Sequence, residues 1–253
     1  MFNQMSILGS KPPTIRDELR PRVFYEGIYI MKTAILVDGG YYRKIAIKAF
    51  DNSDAELCAR DLINYCNRHL MYRMGGQKCY AELYRIFYYD CPPLSKQVFH
   101  PLYQRSFDFS KSKQYIWMNK FLEELTKKRK VALRLGQLSD YDNHYSLRYE
   151  TLKKLMNGSI TVQDLKESDF VFETRQKGVD MKIGVDITSL AYKKQVDQIV
   201  LIAGDSDFVP AAKLARREGI DFILDALGRP IKHDLFEHID GLRSKDDRLK
   251  IKN

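Results

Sequence analysis

Three observations predict an α/β fold with a mostly parallel central sheet flanked by helices. Short apolar runs alternate with stretches of helical periodicity along most of the chain. Two of these runs, residues 33–37 and 199–203, are apolar at almost every position, as strands covered on both faces are. Each run then meets an acidic, glycine-bearing turn, Asp38-Gly39-Gly40 and Gly204-Asp205.

Residues 33–37 are too short for a helix and stop at a glycine pair, so they read as a buried strand. Residues 54–73 place Leu57, Ile63, Cys66 and Leu70 on a helical period. Residues 81–89 are rich in aromatic and branched side chains and end at Cys91-Pro92-Pro93, a second strand. Residues 94–130 read as helical and basic, through Lys111, Lys113, Lys120 and the run Lys127-Lys128-Arg129-Lys130. Tyr115 and Trp117 lie within that stretch; together with its lysines they suit a groove that tracks a backbone and stacks bases, although Trp is more often a core residue. Residues 131–138 alternate as a third strand, and the polar residues 139–170 give no clear assignment.

From Gly178 the pattern sharpens. Residues 180–194 form a helix with Ile183, Ile187, Leu190 and Ala191 on one face. Residues 198–203 are a strand. Residues 208–218 are a helix, with Pro210 near its start and Gly219 beyond its end. Residues 220–224 are a further strand, and 231–242 read as a closing helix.

The 253 residues suffice for one large domain, and 44% hydrophobic with 30% charged residues is ordinary for a chain with a sizeable core. A net charge of +9 favours a polyanionic partner without proving one. Cys58, Cys66, Cys79 and Cys91 form no CxxC pair, which argues against zinc and for reduced cytoplasmic thiols. No apolar run approaches the roughly 20 residues of a membrane span, so no membrane partner is expected. Residues 1–30 lack a signal-peptide core and precede Met31; they read as either a genuine arm or an upstream extension.

The chemistry sits in the aspartates. Ligands of open α/β sheets bind beyond the carboxyl ends of the strands. Asp38 and Asp205 fall there, and Asp207 follows two residues later. On its helix Asp180 lies within about 60° of Ile183 and Ile187, which aims it at the sheet, whereas Asp186 is turned about 120° away and ranks lower. Clustered carboxylates repel one another unless some protonate or a cation neutralises them. All-oxygen ligation suits Mg²⁺ or Mn²⁺, and such an ion can promote phosphodiester hydrolysis. Each residue also has a plainer role open to it: a turn position for Asp38 and Asp205, and a helix cap for Asp180 and Asp207. Asp225, ending the last strand, fits a turn best.

Leu36-Val37-Asp38-Gly39-Gly40, Arg175-Gln176-Lys177-Gly178-Val179-Asp180, Asp186 and Gly204-Asp205-Ser206-Asp207-Phe208-Val209-Pro210, in that order, resemble the NYN domain in its LabA-like bacterial branch. The likeness covers residues 32–60 and 170–240. It implies a PIN-like Rossmannoid fold and Mg²⁺- or Mn²⁺-dependent RNA cleavage. Carried over by motif, Asp38, Asp180, Asp205 and Asp207 match the family's acidic cluster, and Asp186 a second acidic position. Many NYN domains carry Asn three residues after the first Asp; Tyr41 stands there, which removes a side chain able to orient metal or water. Arg43, Lys44, Arg175 and Lys177 flank the acidic motifs and could contact phosphates, or be solvated surface charges.

The expected plan is an N-terminal extension at 1–30, an NYN/PIN-like domain at 31–242 with a helical insertion at about 91–169, and a basic tail at 243–253. A haloacid-dehalogenase-like phosphatase is excluded, because it needs Asp at position 40, where Gly40 stands, and at 209, where Val209 stands. GxGxxG is absent. The rival reading is a non-catalytic RNA-binding or regulatory module of the same fold. RNA is the expected partner, DNA offers the same backbone chemistry, and a homodimer stays open.

Overall fold

The computed structural model describes residues 24–25, 28–50, 53–139 and 143–249. The chain divides into two compact units, Met1–Ile30 and Met31–Asn253. In the first, Phe24–Tyr25 pairs antiparallel with Ile28–Tyr29; apart from Ile30, the rest of the expected extension lies outside the described residues, as do residues 250–253 of the expected tail.

The second unit is built on six parallel strands: β1 (Lys32–Asp38), β2 (Glu82–Asp90), β3 (Val131–Leu135), β4 (Gln198–Ile202), β5 (Asp221–Asp225) and β6 (Gly241–Leu242). Their spatial order is β3-β2-β1-β4-β5-β6, every pair parallel. Period-two alternation sends Ala34 and Leu36 to one face and Ile35 and Val37 to the other, and helices cover both. On one side lie α1 (Gly39–Phe50), α2 (Ala55–Arg68) and α3 (Lys113–Thr126), which contribute Tyr42, Leu62, Tyr65 and Phe121. On the other lie α5 (Val179–Tyr192), α6 (Val209–Arg217) and α7 (His233–Phe236), contributing Ile183, Ile187, Ala212 and Leu235. A short helix, α4 (Tyr149–Met156), lies outside these layers. Each fully buried Leu, Ile or Phe adds about 1.5–3 kcal/mol over leaving it exposed. This is a PIN-like α/β fold, as the sequence predicts.

Local signals set the helix ends. Asp54 accepts the Leu57 N–H at the start of α2, and Ser112 accepts the Tyr115 N–H at the start of α3. After α6, Gly219 takes φ +81°, and the Ile220 N–H closes back on Ala215.

The structure corrects several expectations. Gly39-Gly40 do not merely stop a strand; they open α1, whose first turn is capped by Asp38 through the Tyr41 N–H at 3.0 Å. The helix expected over 54–73 ends at Arg68, because Gly75 and Gly76, both at positive φ, turn a hairpin between Met71–Met74 and Gln77–Tyr80. The helical stretch expected over 94–130 is helical only in α3 and a short 3₁₀ turn. Gln97–His100 and Arg105–Asp108 form a hairpin, packed with the pair His144–Leu147 and Phe170–Glu173 around the buried His100. Each of these short strands carries an aromatic residue, and four residues satisfy a helical pattern as readily as an extended one. Since α3 and β3 both belong to the αβα layers, residues 91–169 are more than a helical insertion. The closing helix expected at 231–242 shrinks to α7 followed by β6.

Candidate active site

Strand order reverses between β1 and β4, and this is where such sheets open a crevice beyond their carboxyl ends. Asp38 is the last residue of β1, and Asp205 lies just beyond β4. Asp205 accepts the Asp207 N–H at 3.2 Å and caps the 3₁₀ turn Ser206–Phe208. The capping role thus falls to Asp205 rather than Asp207, and both side chains are exposed. Gly178, at φ +80°, precedes α5 and lets the chain enter the helix so that Asp180 stands in its first turn. Asp180 is exposed at the rim and not turned in against the sheet.

These carboxylates feel one another. Burial pushes the Asp38 carboxyl up to about 6; the Tyr41 N–H opposes this, and the charges of Asp180 and Asp90 add to it. Asp180 is also raised, by burial and then by Asp205 and Asp207. An all-carboxylate donor set under mutual repulsion fits a hard divalent cation. Among the described residues, no three His, Cys, Asp or Glu side chains stand close enough to cage a metal ion.

Asp90 was not singled out from sequence. It ends β2 as Asp38 ends β1, after an equally apolar run, so the same strand-end argument locates it. Its fully buried carboxylate binds Arg43 through both Nε and Nη2 at 3.0 Å, and also accepts Tyr88 Oη and the Cys91 N–H at 2.8 Å each. Gly39 makes room for this group: a Cβ there would lie 2.6 Å from Asp90 Oδ2.

Tyr41, at the position of the family's Asn, lies across the crevice. Its hydroxyl donates to the Ala226 carbonyl at 2.6 Å, and its ring covers Gly204, where a Cβ would come 2.7 Å from Tyr41 Cζ. Burial, then the Asp225 charge, raise the Tyr41 phenol to about 12. Asp225 is no simple turn residue: fully buried, it accepts Tyr65 Oη, Ser244 Oγ at 2.9 Å and the Leu227 N–H at 2.8 Å, and pairs with His69 Nε2 at 2.9 Å.

The remaining candidates are dispersed. Asp186 binds Arg134 Nε at 2.9 Å and Tyr89 Oη at 2.8 Å, away from the other acids. Arg43 is committed to Asp90, while Lys44, Arg175 and Lys177 are exposed. Two exposed cations not singled out from sequence border the crevice: Lys232, whose Nζ donates to Ser206 Oγ at 3.0 Å, and Arg229, whose charge acts on Tyr41. Trp117 stacks on Phe121 and donates to the Ser53 carbonyl, a packing role.

No helix among the described residues is long and apolar enough to cross a membrane, and none of the four cysteines is in a disulfide. No curated protein matches the chain. A crystal structure of a protein of unknown function from Vibrio parahaemolyticus aligns over 87% of this chain and 95% of that one, with 15% identity and a TM-score of 0.44. The NYN domain family matches residues 100–235, more than half of the chain. Its nuclease-like, RNA-related character agrees with an acidic crevice on a basic protein, and this chain belongs to the NYN domain family.

Proposed function

We propose that this protein is a divalent-metal-dependent endoribonuclease that hydrolyses RNA phosphodiester bonds at the β1–β4 crevice. One observation carries the reading: Asp38, Asp180, Asp205 and Asp207 come from three separated segments, yet the Asp180 charge helps to raise Asp38, and the charges of Asp205 and Asp207 help to raise Asp180. In this reading Asp38, Asp180 and Asp205 hold Mg²⁺ or Mn²⁺, and the exposed Asp207 carboxylate accepts a proton from the attacking water. Asp186, bound to Arg134 and Tyr89, stands outside this ligand set. Such an ion would supply charge neutralisation and polarisation at the phosphodiester. Arg229 and Lys232, with Lys44, Arg175 and Lys177, offer phosphate contacts along the rim. Four cysteines not joined in disulfides suit the reducing cytoplasm.

The test is incubation of labelled single-stranded RNA with the full chain and Mn²⁺, beside Asp38→Asn and Asp180→Asn. Metal-dependent cleavage by wild type alone supports the proposal. The second reading, a non-catalytic RNA-binding module, is favoured by the Tyr41 ring lying across the crevice. RNA bound equally and left intact by all three proteins would establish it.

A further inference from the structure

A second feature lies next to the acidic crevice. A cleft of about 160 Å³ opens between the Pro92-Pro93 turn and the start of α3. Its aromatic walls are Tyr115 and the stacked pair Phe109–Phe172, with ring centroids 4.7 Å apart and planes inclined by 27°. All three rings are half-buried, so each keeps surface open to a ligand. A cavity of about 150 Å³ lined by apolar residues takes up a benzene-sized ring.

The surroundings narrow the occupant. The exposed Gln114 and Gln176 border the cleft, and each amide both donates and accepts, as the edge of a base requires. Lys113, Arg175 and Lys177 adjoin those two residues in sequence and are exposed. Cations beside aromatic walls are what a phosphate-linked base meets in single-strand binding sites. The cleft also adjoins the support of the crevice: Arg43 and Asp90 line it, and the Asp90 charge acts on Asp38.

We infer that this cleft takes one unpaired nucleobase of a single-stranded nucleic acid, stacked against its aromatic walls, with the adjoining phosphate delivered to the aspartates. The delivery step rests on the nuclease reading; base capture does not. A duplex keeps its bases stacked within the helix and cannot fill the cleft without unpairing. Selection for single strands therefore follows from the cleft.

The test uses the full chain in EDTA, so that cleavage plays no part. Short oligomers carry the fluorescent base 2-aminopurine at successive positions, as single-stranded RNA, single-stranded DNA and RNA duplex. Quenching confined to one or two positions of a single strand is expected, and the relative strength of the RNA and DNA arms gives the sugar preference. Phe172→Leu and Tyr115→Leu each keep apolar bulk but remove the π-face, and each should abolish the quenching and weaken binding about tenfold. Tyr115→Leu keeps the question answerable should the aromatic hairpins reject Phe172→Leu.

Binding without quenching at any position overturns the inference. So does quenching that survives both substitutions, or equal quenching by the duplex. Quenching without Mn²⁺-supported cleavage upholds the cleft and sinks the nuclease, and cleavage without quenching does the reverse.

Discussion

Two hydrogen bonds of 3.0 Å tie the Arg43 guanidinium to the Asp90 carboxylate, which solvent does not reach. The pair joins α1 to the end of β2 directly behind Asp38. It turns an arginine that reads from sequence as a phosphate contact into a support for the acidic crevice. Arg43→Gln strands a buried charge and should cost about 3–5 kcal/mol of stability, measured as a shift in the urea midpoint. An unchanged midpoint with weakened RNA binding would return Arg43 to the phosphate-contact role.

Gly204 is required by Tyr41. Gly204→Ala puts a methyl group 2.7 Å from Tyr41 Cζ and should destabilise the fold by about 1–3 kcal/mol. In a Tyr41→Asn background the same change should cost little. A double-mutant cycle over the two positions should give a coupling of roughly 1 kcal/mol or more, and additive effects would show that the ring moves aside freely.

Asp38 should make metal-free stability depend on pH. Its carboxyl stands at about 6 in the fold, against about 3.9 in an unfolded chain. A raised carboxyl favours the fold fully below the unfolded value, and that contribution is lost as pH rises through 6. In EDTA, Asp38→Asn should match wild type near pH 4 and exceed it above pH 6, by roughly 2–3 kcal/mol. Thermal melts from pH 4 to 8 check this. Adding Mn²⁺ should stabilise wild type more than the variant, and equal metal stabilisation would remove Asp38 from the ligand set.

Asp186 separates support from chemistry. Its bonds to Arg134 and Tyr89 predict that Asp186→Ala loses about 1–2 kcal/mol of stability. Manganese-induced stabilisation should be unaffected. A loss of metal response equal to that of Asp180→Asn would restore Asp186 to the acidic cluster.

The central strands are legible in the sequence because burial on both faces leaves continuous apolar runs, and the Gly-Asp turns mark where they end. Helices α5 and α6 are legible for a related reason: their apolar faces run several turns between a glycine or proline start and a clear stop. The two aromatic hairpins around His100 are not, since four-residue strands carry too little periodicity to distinguish them from helix. Within the crevice, the strand-end rule places Asp38 and Asp205 at the switch point. The same rule applies to Asp90, but the Pro92-Pro93 stop draws attention past it. Neither the Arg43–Asp90 pair nor the Tyr41–Gly204 contact leaves a trace in local sequence, because each depends on side chains that only the folded sheet brings together.

Thr33 on β1 and Gln198 on β4 are hydrogen-bonded although 165 positions separate them. Half of the central sheet must wait for β4 to arrive, and the acids of β1 and α5 have no common apex until it does. A ribosome that has synthesised only the first half of this chain therefore carries Asp38 but no assembled acidic crevice. The topology withholds the acidic crevice from the growing polypeptide until β4 has been made.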